Sequence, residues 1–269
     1  MARDVSLNWV HSIRCASTER HPRGRNGNGA KVNITIIGTG KAGSSFAVAL
    51  ADVGHHVRLI RHDQLDGLGE PDLVLVAVPD DAIKTVATQI PRSDQYVVAH
   101  VAGSRGLGEL AGHARVGAMH PLAALPSSEV GGARLRGALY SVAGDDLIDD
   151  VVTSLQGRAI HLSDEQRVRY HATATVAANH LVALMGHVQQ LAESAGLSLD
   201  DFLSLAHQAL ADVVALGVHG ALTGPASRAD MATIDVHLAA IPESERSTYV
   251  AMANVAFELA ETQRLTSHA

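Results

Sequence analysis

Chemistry-bearing residues first appear as a glycine pattern. Gly38-Thr39-Gly40-Lys41-Ala42-Gly43 follows a nearly continuous β-branched run (Val32, Ile34, Ile36, Ile37). It precedes a helical pattern, Phe46, Ala47, Leu50 and Val53, that stops at Gly54. The first glycine permits a tight turn, the second lets backbone approach a ligand, and the third lets helix pack close on strand. The helix N-terminus adds free N–H groups and partial positive charge, which suit a phosphate. Strand, GxGxxG and helix in that order are what a dinucleotide pyrophosphate site requires. A second strand pattern, 56–60, ends in Arg61-His62. A carboxylate there would accept from a ribose diol, whereas a guanidinium suits a 2′-phosphate. The pattern favours NADP (NADPH), with Asp63 as the opposing sign, and either Arg61 or Lys41 is expected to meet the 2′-phosphate. Val78 and Pro79 close a third strand pattern, 72–78, and are placed along the cofactor, because carboxyl ends of parallel strands line the crevice. Asp80 is expected to cap the next helix, 82–89.

A second set of residues is polar where packing does not demand it. His100 and His120 close strand patterns at 96–100 and 116–119, and Ser104 follows the first of them. Both histidines are expected at the edge where a nicotinamide and its substrate would meet, and both titrate near neutral pH. Further along, His171, Thr175 and Asn179 recur every four residues, so they share one helix face. His180 and His187 share another, and Asp230, Thr233 and His237 form a third stripe. Spacing offers no HExxH-like pair, so no metal is expected from the histidines.

The elements that must position these groups divide the chain in three. Residues 1–30 are Arg- and Gly-rich without an apolar signal region, and are expected to be a disordered extension. Residues 31–162 alternate strand and helix patterns, with further strands at 139–143 and 158–162 about a helix at 145–155. That order implies an α/β domain, a Rossmann-like doubly wound parallel sheet, in which the second crossover is too short for a full helix. Residues 163–269 show no strand pattern and read as an all-α dimerisation and substrate domain. Ser163-Asp164-Glu165 starts a helix running to Ala195, and helices follow at 199–216, 226–239 and 243–264. A helix of some thirty residues, ~45 Å long, exceeds what so small a domain covers. It is expected to pack in a homodimer through the helical domain, or to bend at Gly186.

Composition bounds the rest. The 269 residues are 46% hydrophobic and carry a formal charge of −7, which argues against a general nucleic-acid partner. The single cysteine, Cys15, excludes an intramolecular disulfide and fits a reducing, cytoplasmic setting. No uninterrupted apolar run reaches the ~18 residues of a membrane span, so no membrane partner is expected.

Taken in order, the glycine loop, 77–81, His100–Gly106 and the helical second half give a resemblance. The chain resembles NADP-dependent reductases with a helical second domain of the 6-phosphogluconate dehydrogenase type. Relatives include ketopantoate reductase, pyrroline-5-carboxylate reductase and prephenate dehydrogenase. It is most similar to a bacterial branch carrying His120-Pro121-Leu122, Asn179-His180 and Gly224-Pro225-x-Ser227-Arg228-x-Asp230. If the chain is an enzyme, His120, His100 or His180 is expected to supply the proton, being titratable near neutral pH, with Asn179 and Ser227 orienting substrate, Arg228 holding a carboxylate, and Ser104 and Asp230 as further substrate contacts. The resemblance departs at two points: where relatives carry a lysine four residues before the helix asparagine, this chain has Thr175, and residues 163–269 contain no lysine; and where ketopantoate reductase carries a Thr-Glu-Ile-Asp run on a late helix, Thr233-Ile234-Asp235 lacks the Glu. The leading expectation is an NADPH-dependent reductase of a small 2-oxo acid, of the ketopantoate type. The alternatives are a cyclic imine carboxylate reductase and an NADP-binding regulatory protein without turnover.

Overall fold

Short runs of Ile, Val and Leu form a single seven-stranded sheet in this computed structural model, which describes residues 31–266. The expected extension 1–30, with Cys15, lies outside the described residues. The strands are β1 (Asn33–Ile37), β2 (His56–Ile60), β3 (Leu73–Val76), β4 (Val97–His100), β5 (Val116–Pro121), β6 (Leu139–Gly144) and β7 (Arg158–His161). Their order is β2-β1-β3-β4-β5-β6-β7. Strands β1 to β5 are parallel; β6 runs antiparallel to β5, with His120 opposite Ser141, and β7 is parallel to β6. The sheet is therefore mostly parallel, not wholly so, because the chain reverses after β5.

Helices cover both faces: α1 (Lys41–Asp52), α3 (Ser128–Leu135) and α4 (Leu147–Ser154) on one, α2 (Ile83–Gln89) on the other. β3 and β4 are buried along their whole length, as continuous apolar runs in a covered parallel sheet should be. As expected, β2 reaches β3 without a full helix, through one 3-10 turn at Leu65–Gly67. Sequence reading missed α3, whose paired glycines Gly131 and Gly132 give little apolar periodicity; they sit where a Cβ would strike Ser45 and Val48 of α1.

The second half is helical: α5 (Asp164–Thr175), α6 (Leu181–Ser194), α7 (Asp200–Ala221), α8 (Gly224–Ser227), α9 (Met231–Ala240) and α10 (Glu243–Thr266). Ser163 starts α5 with a capping box: its hydroxyl accepts from the Gln166 N–H, and Gln166 accepts from the Ser163 N–H. Between α5 and α6 the rod continues through a π turn, Val176–His180, upstream of the Gly186 bend considered above. Two expectations need correction. The helix expected at 226–239 is two, because Ala229 takes a positive φ of 54° and Asp230 caps α9, accepting from the Thr233 N–H and hydroxyl. Asp80 does not cap α2; it begins a 3-10 turn and accepts from the Ser104 hydroxyl at 3.3 Å.

α7 is the exception to burial. None of its residues is buried, and Leu205, Val214 and Leu216 are each more than 60% exposed. The stretch Asp200–Ser227 is apolar and long enough to cross a membrane by length and composition alone, and it is kinked at Gly217, where φ is 73°.

Candidate active site

The glycine loop sits where the order of strand addition reverses, between the ends of the parallel strands β1 and β3. The Gly38 N–H donates to Ile60 O (2.9 Å) and the Ala77 N–H to Ile37 O (2.8 Å), tying the loop to both neighbours. Gly38 has φ of +119°, and a Cβ there would stand 2.3 Å from Ala77 O. A Cβ on Gly43 would stand 1.8 Å from Gly38 O, so helix and turn close on each other only because both lack side chains. A Cβ on Gly40 would meet nothing within 4 Å. The second glycine thus faces open space at the exposed start of α1, beside Thr39, Lys41 and Ala42. That is the cradle a pyrophosphate fits, and the residues present suit the group.

At the end of β2, Arg61 and His62 are exposed. Arg61 is paired with Asp63 through Nε and Nη2, at 3.0 and 2.9 Å. The guanidinium and the opposing carboxylate weighed in the sequence are thus one fork, which holds Asp63 below the usual carboxylate range. Val78 is half-buried and Pro79 exposed at the end of β3.

The second group forms where β4 and β5 end beneath α5. His100 pairs in register with Ala118, and His120 with Ser141, so His100, His120 and Ser141 share one sheet face. The helix lays Arg167, Tyr170 and His171 over it. Arg167 and Ser141 are buried, and Arg167 Nη1 donates to Ser141 Oγ at 3.1 Å. The His120 ring meets Tyr170 and His171 edge-on, with centroids 5.7 and 5.3 Å apart. Gly103, in the loop after β4, fits against both histidines; a Cβ would stand 2.2 Å from His171 Nδ1 and 2.8 Å from His120 Nε2.

Electrostatics follow from this packing. Burial is the main cause that pushes the His120 pKa down to about 4, and the neighbouring His171, Arg167 and His100 lower it further. His100 is lowered for the same leading reason, partly offset by its contact with Gly106 O at 3.2 Å. Both are therefore neutral imidazoles at pH 7, and the expectation that either is a ready acid there is corrected. Several buried polar atoms in this cluster have no hydrogen-bond partner among the described residues: Nδ1 of His100, His120 and His171, the Tyr170 hydroxyl, and Arg167 Nε and Nη2.

A cavity of ≈ 340 Å3 opens beside the cluster, lined by His120-Pro121-Leu122, His171, Thr175 and Asn179 with several alanines between. The row His171, Thr175, Asn179 thus lines one wall, and Ala174, Ala177 and Ala178 leave it wide. The π turn carries Asn179; such turns recur at functional sites because each widens the helix locally.

Other expected site residues lie elsewhere in the chain. His180 is exposed on the π turn and does not line the cavity. Ser227 donates to Gly224 O (2.8 Å), Arg228 is exposed, and Asp230 is held by Thr233 as the α9 cap. These three serve a local turn and do not line the cavity. Ser104 bridges to Asp80 and so connects the β4 loop to the β3 end. Sequence reading missed Arg167, Tyr170 and Gly103. The signal for Arg167 was present: the four-residue row of Asn179, Thr175 and His171, carried back one step, reaches it.

Comparison with known proteins agrees with this layout. Residues 141–256 match a family model described as a domain of unknown function (DUF2520). No curated protein matches the chain. Among solved structures, it is similar to a Bacteroides fragilis protein described as a candidate NADP oxidoreductase (TM-score 0.73, 18% identity, 85% of this chain and 98% of that one). The chain has the fold of this reductase group. A reductive aminase from Aspergillus terreus, in complex with NADPH4, cyclohexanone and allyl amine, shares it (TM-score 0.60, 18% identity, 85% and 94% covered). So does a Plasmodium falciparum pyrroline carboxylate reductase with NADP bound (TM-score 0.54, 12% identity, 86% and 98% covered). At these identities the likeness speaks for the reductase fold alone.

Proposed function

We propose that the protein is an NADPH-dependent oxidoreductase that reduces a small cyclic imine carboxylate. The observation that carries this reading is the pairing of a dinucleotide cradle with a cavity in which His120 is neutral and no lysine stands. Gly38, Gly40 and Gly43 with the α1 N-terminus hold the pyrophosphate, Val78 and Pro79 flank it, and Arg61 with Lys41 meets the 2′-phosphate. NADPH supplies a hydride when bound. A carbonyl needs a proton as the alkoxide develops. Thr175 stands where relatives carry lysine, and His120, with a pKa near 4, holds no spare proton at pH 7. A protonated imine brings its own proton, and a neutral His120 and Asn179 do not repel its charge. A 2-oxo acid of the ketopantoate type is the second reading, favoured by Tyr170, whose buried hydroxyl has no partner among the described residues and lies beside the cationic Arg167.

The structural neighbours with NADP or NADPH bound support the cofactor reading. The apolar, uncovered α7 supports a homodimer through the helical domain, since so large an apolar face is covered in solution by another surface. We place that dimer in the cytoplasm. The test is fluorescence titration with NADPH and NADH, followed by turnover with cyclic imine carboxylates and 2-oxo acids. NADPH should bind at least 10-fold more tightly than NADH, and Arg61→Ala should erase most of that difference. Equal affinities would remove the Arg61 reading; binding without turnover on either class would leave a regulatory NADP-binding protein.

A further inference from the structure

Arg167 is a buried cation without a carboxylate. It forms no ion pair among the described residues, and its one hydrogen bond runs from Nη1 to a neutral hydroxyl, Ser141 Oγ. Asp164 is the carboxylate whose charge it feels, without an ion pair between them. A buried charge left unpaired is costly, because it has lost its water and gained no counter-charge. Buried polar atoms without partners call for an explanation, and a ligand is one.

Which atoms are free decides the ligand. Nε and Nη2 form the side edge of the guanidinium, two parallel N–H donors spaced to meet the two oxygens of one carboxylate. The Tyr170 hydroxyl and His171 Nδ1, at i+3 and i+4 on the same helix face, also lack partners. That face continues without a break in direction to Ala174, Thr175 and Ala178, which line the cavity. Donors therefore gather at one end of the groove and small residues along its length. His171 stands between the cavity and Arg167, and no hydrogen bond from its Nδ1 fixes the ring.

We propose that the free edge of Arg167, with Tyr170 and His171 beside it, is the seat for the carboxylate of the substrate, entered from the cavity past the His171 ring. This rests on the reductase reading above and names the anchor that reading lacks, in place of the exposed Arg228. An acidic side chain of a second copy could offer the same chemistry, and the experiment separates the two.

The probe is formate, with formamide as its uncharged counterpart, added to the full-length protein in the presence of saturating NADP+. The Arg167 Nε–H is followed by nitrogen-15 NMR and assigned by its loss in Arg167→Lys. Formate should move that resonance and those of His120 and His171 saturably, and formamide should not. Arg167→Lys, which keeps the charge but loses the fork, should weaken formate at least 10-fold, and Tyr170→Phe by less. Both should leave NADPH affinity unchanged, which also shows that they fold. NADPH binding with an unmoved Nε–H overturns the carboxylate seat and spares the reductase reading; failure to bind NADPH overturns the latter. Dissociation of the dimer in Arg167→Lys, with no response to formate in the wild type, would assign the guanidinium to a partner's acidic side chain and overturn the proposal.

Discussion

Acidification should destabilise this protein through His120 in a defined window. In the native protein His120 stays neutral down to a pKa of about 4, whereas its ordinary value is 6.5. Between those values the unfolded chain binds the proton and the native protein does not. Stability therefore falls as pH drops from about 6.5 to about 4, and is untouched by this group above 6.5. At about 1.36 kcal/mol for each tenfold change in proton affinity, the full loss is about 3 kcal/mol, most of it by pH 4.5. His55 and His100 are also lowered and add to the loss, but they remain in a His120→Gln variant. The variant's loss between pH 7 and pH 4.5 should be smaller than the wild type's by about 2 kcal/mol. Urea unfolding at both pH values, at one protein concentration, measures it. The groups facing His120 are His100 from β4, and Arg167, Tyr170 and His171 from α5, so the direct check is the His120 Cε1–H shift against pH. A midpoint near 6.5, or equal losses in the two proteins, would refute the buried-neutral account and restore His120 as a general acid.

The glycine loop and the dimer give two further tests. Gly40→Ala places a methyl in open space, so the melting temperature should hold within a degree or two while NADPH affinity falls more than 10-fold in fluorescence titration. Gly43→Ala, whose Cβ would stand 1.8 Å from Gly38 O, should instead lose roughly 1–3 kcal/mol of stability as well as the cofactor. Light scattering should give twice the 28.1 kDa chain mass, and Val214→Glu with Leu216→Glu should halve it. A wild-type monomer, or a wild-type protein that partitions into lipid vesicles, would remove the dimer.

How much was legible in the sequence depended on the range of the interaction. The glycine loop, the ends of β1 to β3 and the Ser163 cap are set within a few residues, so turn chemistry and periodicity located them. The antiparallel β6 was not legible, because strand direction depends on α3, whose Gly131 and Gly132 make it nearly silent in apolar pattern although α1 requires them. The break at Ala229 was hidden because a positive φ at a non-glycine residue leaves no sign in composition. At the site, the His171–Thr175–Asn179 wall was legible, since four-residue spacing is a local property. The neutrality of His120 was not. Its pKa is set by burial under α5 and by Arg167, forty-seven residues away in sequence and beside it only once the helix lies on the sheet.

Arg167 also bears on the missing lysine of the cavity wall. A lysine at position 175 would put a mobile cation in the cavity wall next to Asn179, ready to serve an alkoxide. This chain puts threonine there, with its hydroxyl donating to His171 O at 3.0 Å, so no lysine cation stands in the wall. The positive charge of the neighbourhood lies instead at Arg167, two helical turns further in, held by Ser141 and buried, where little solvent screens it. Moving the cation from the reacting centre to the end of the groove changes what it can do. It no longer stabilises charge developing on oxygen, and it gains the geometry to hold an anion at a distance from the reacting atom. It also helps hold His120 neutral, through the same charge. A substrate that is negative at one end and positive at the other matches such a site at both ends. A wall without a lysine next to the reacting atom and a buried fork behind it are thus one arrangement, and the imine carboxylate reading follows from the two together.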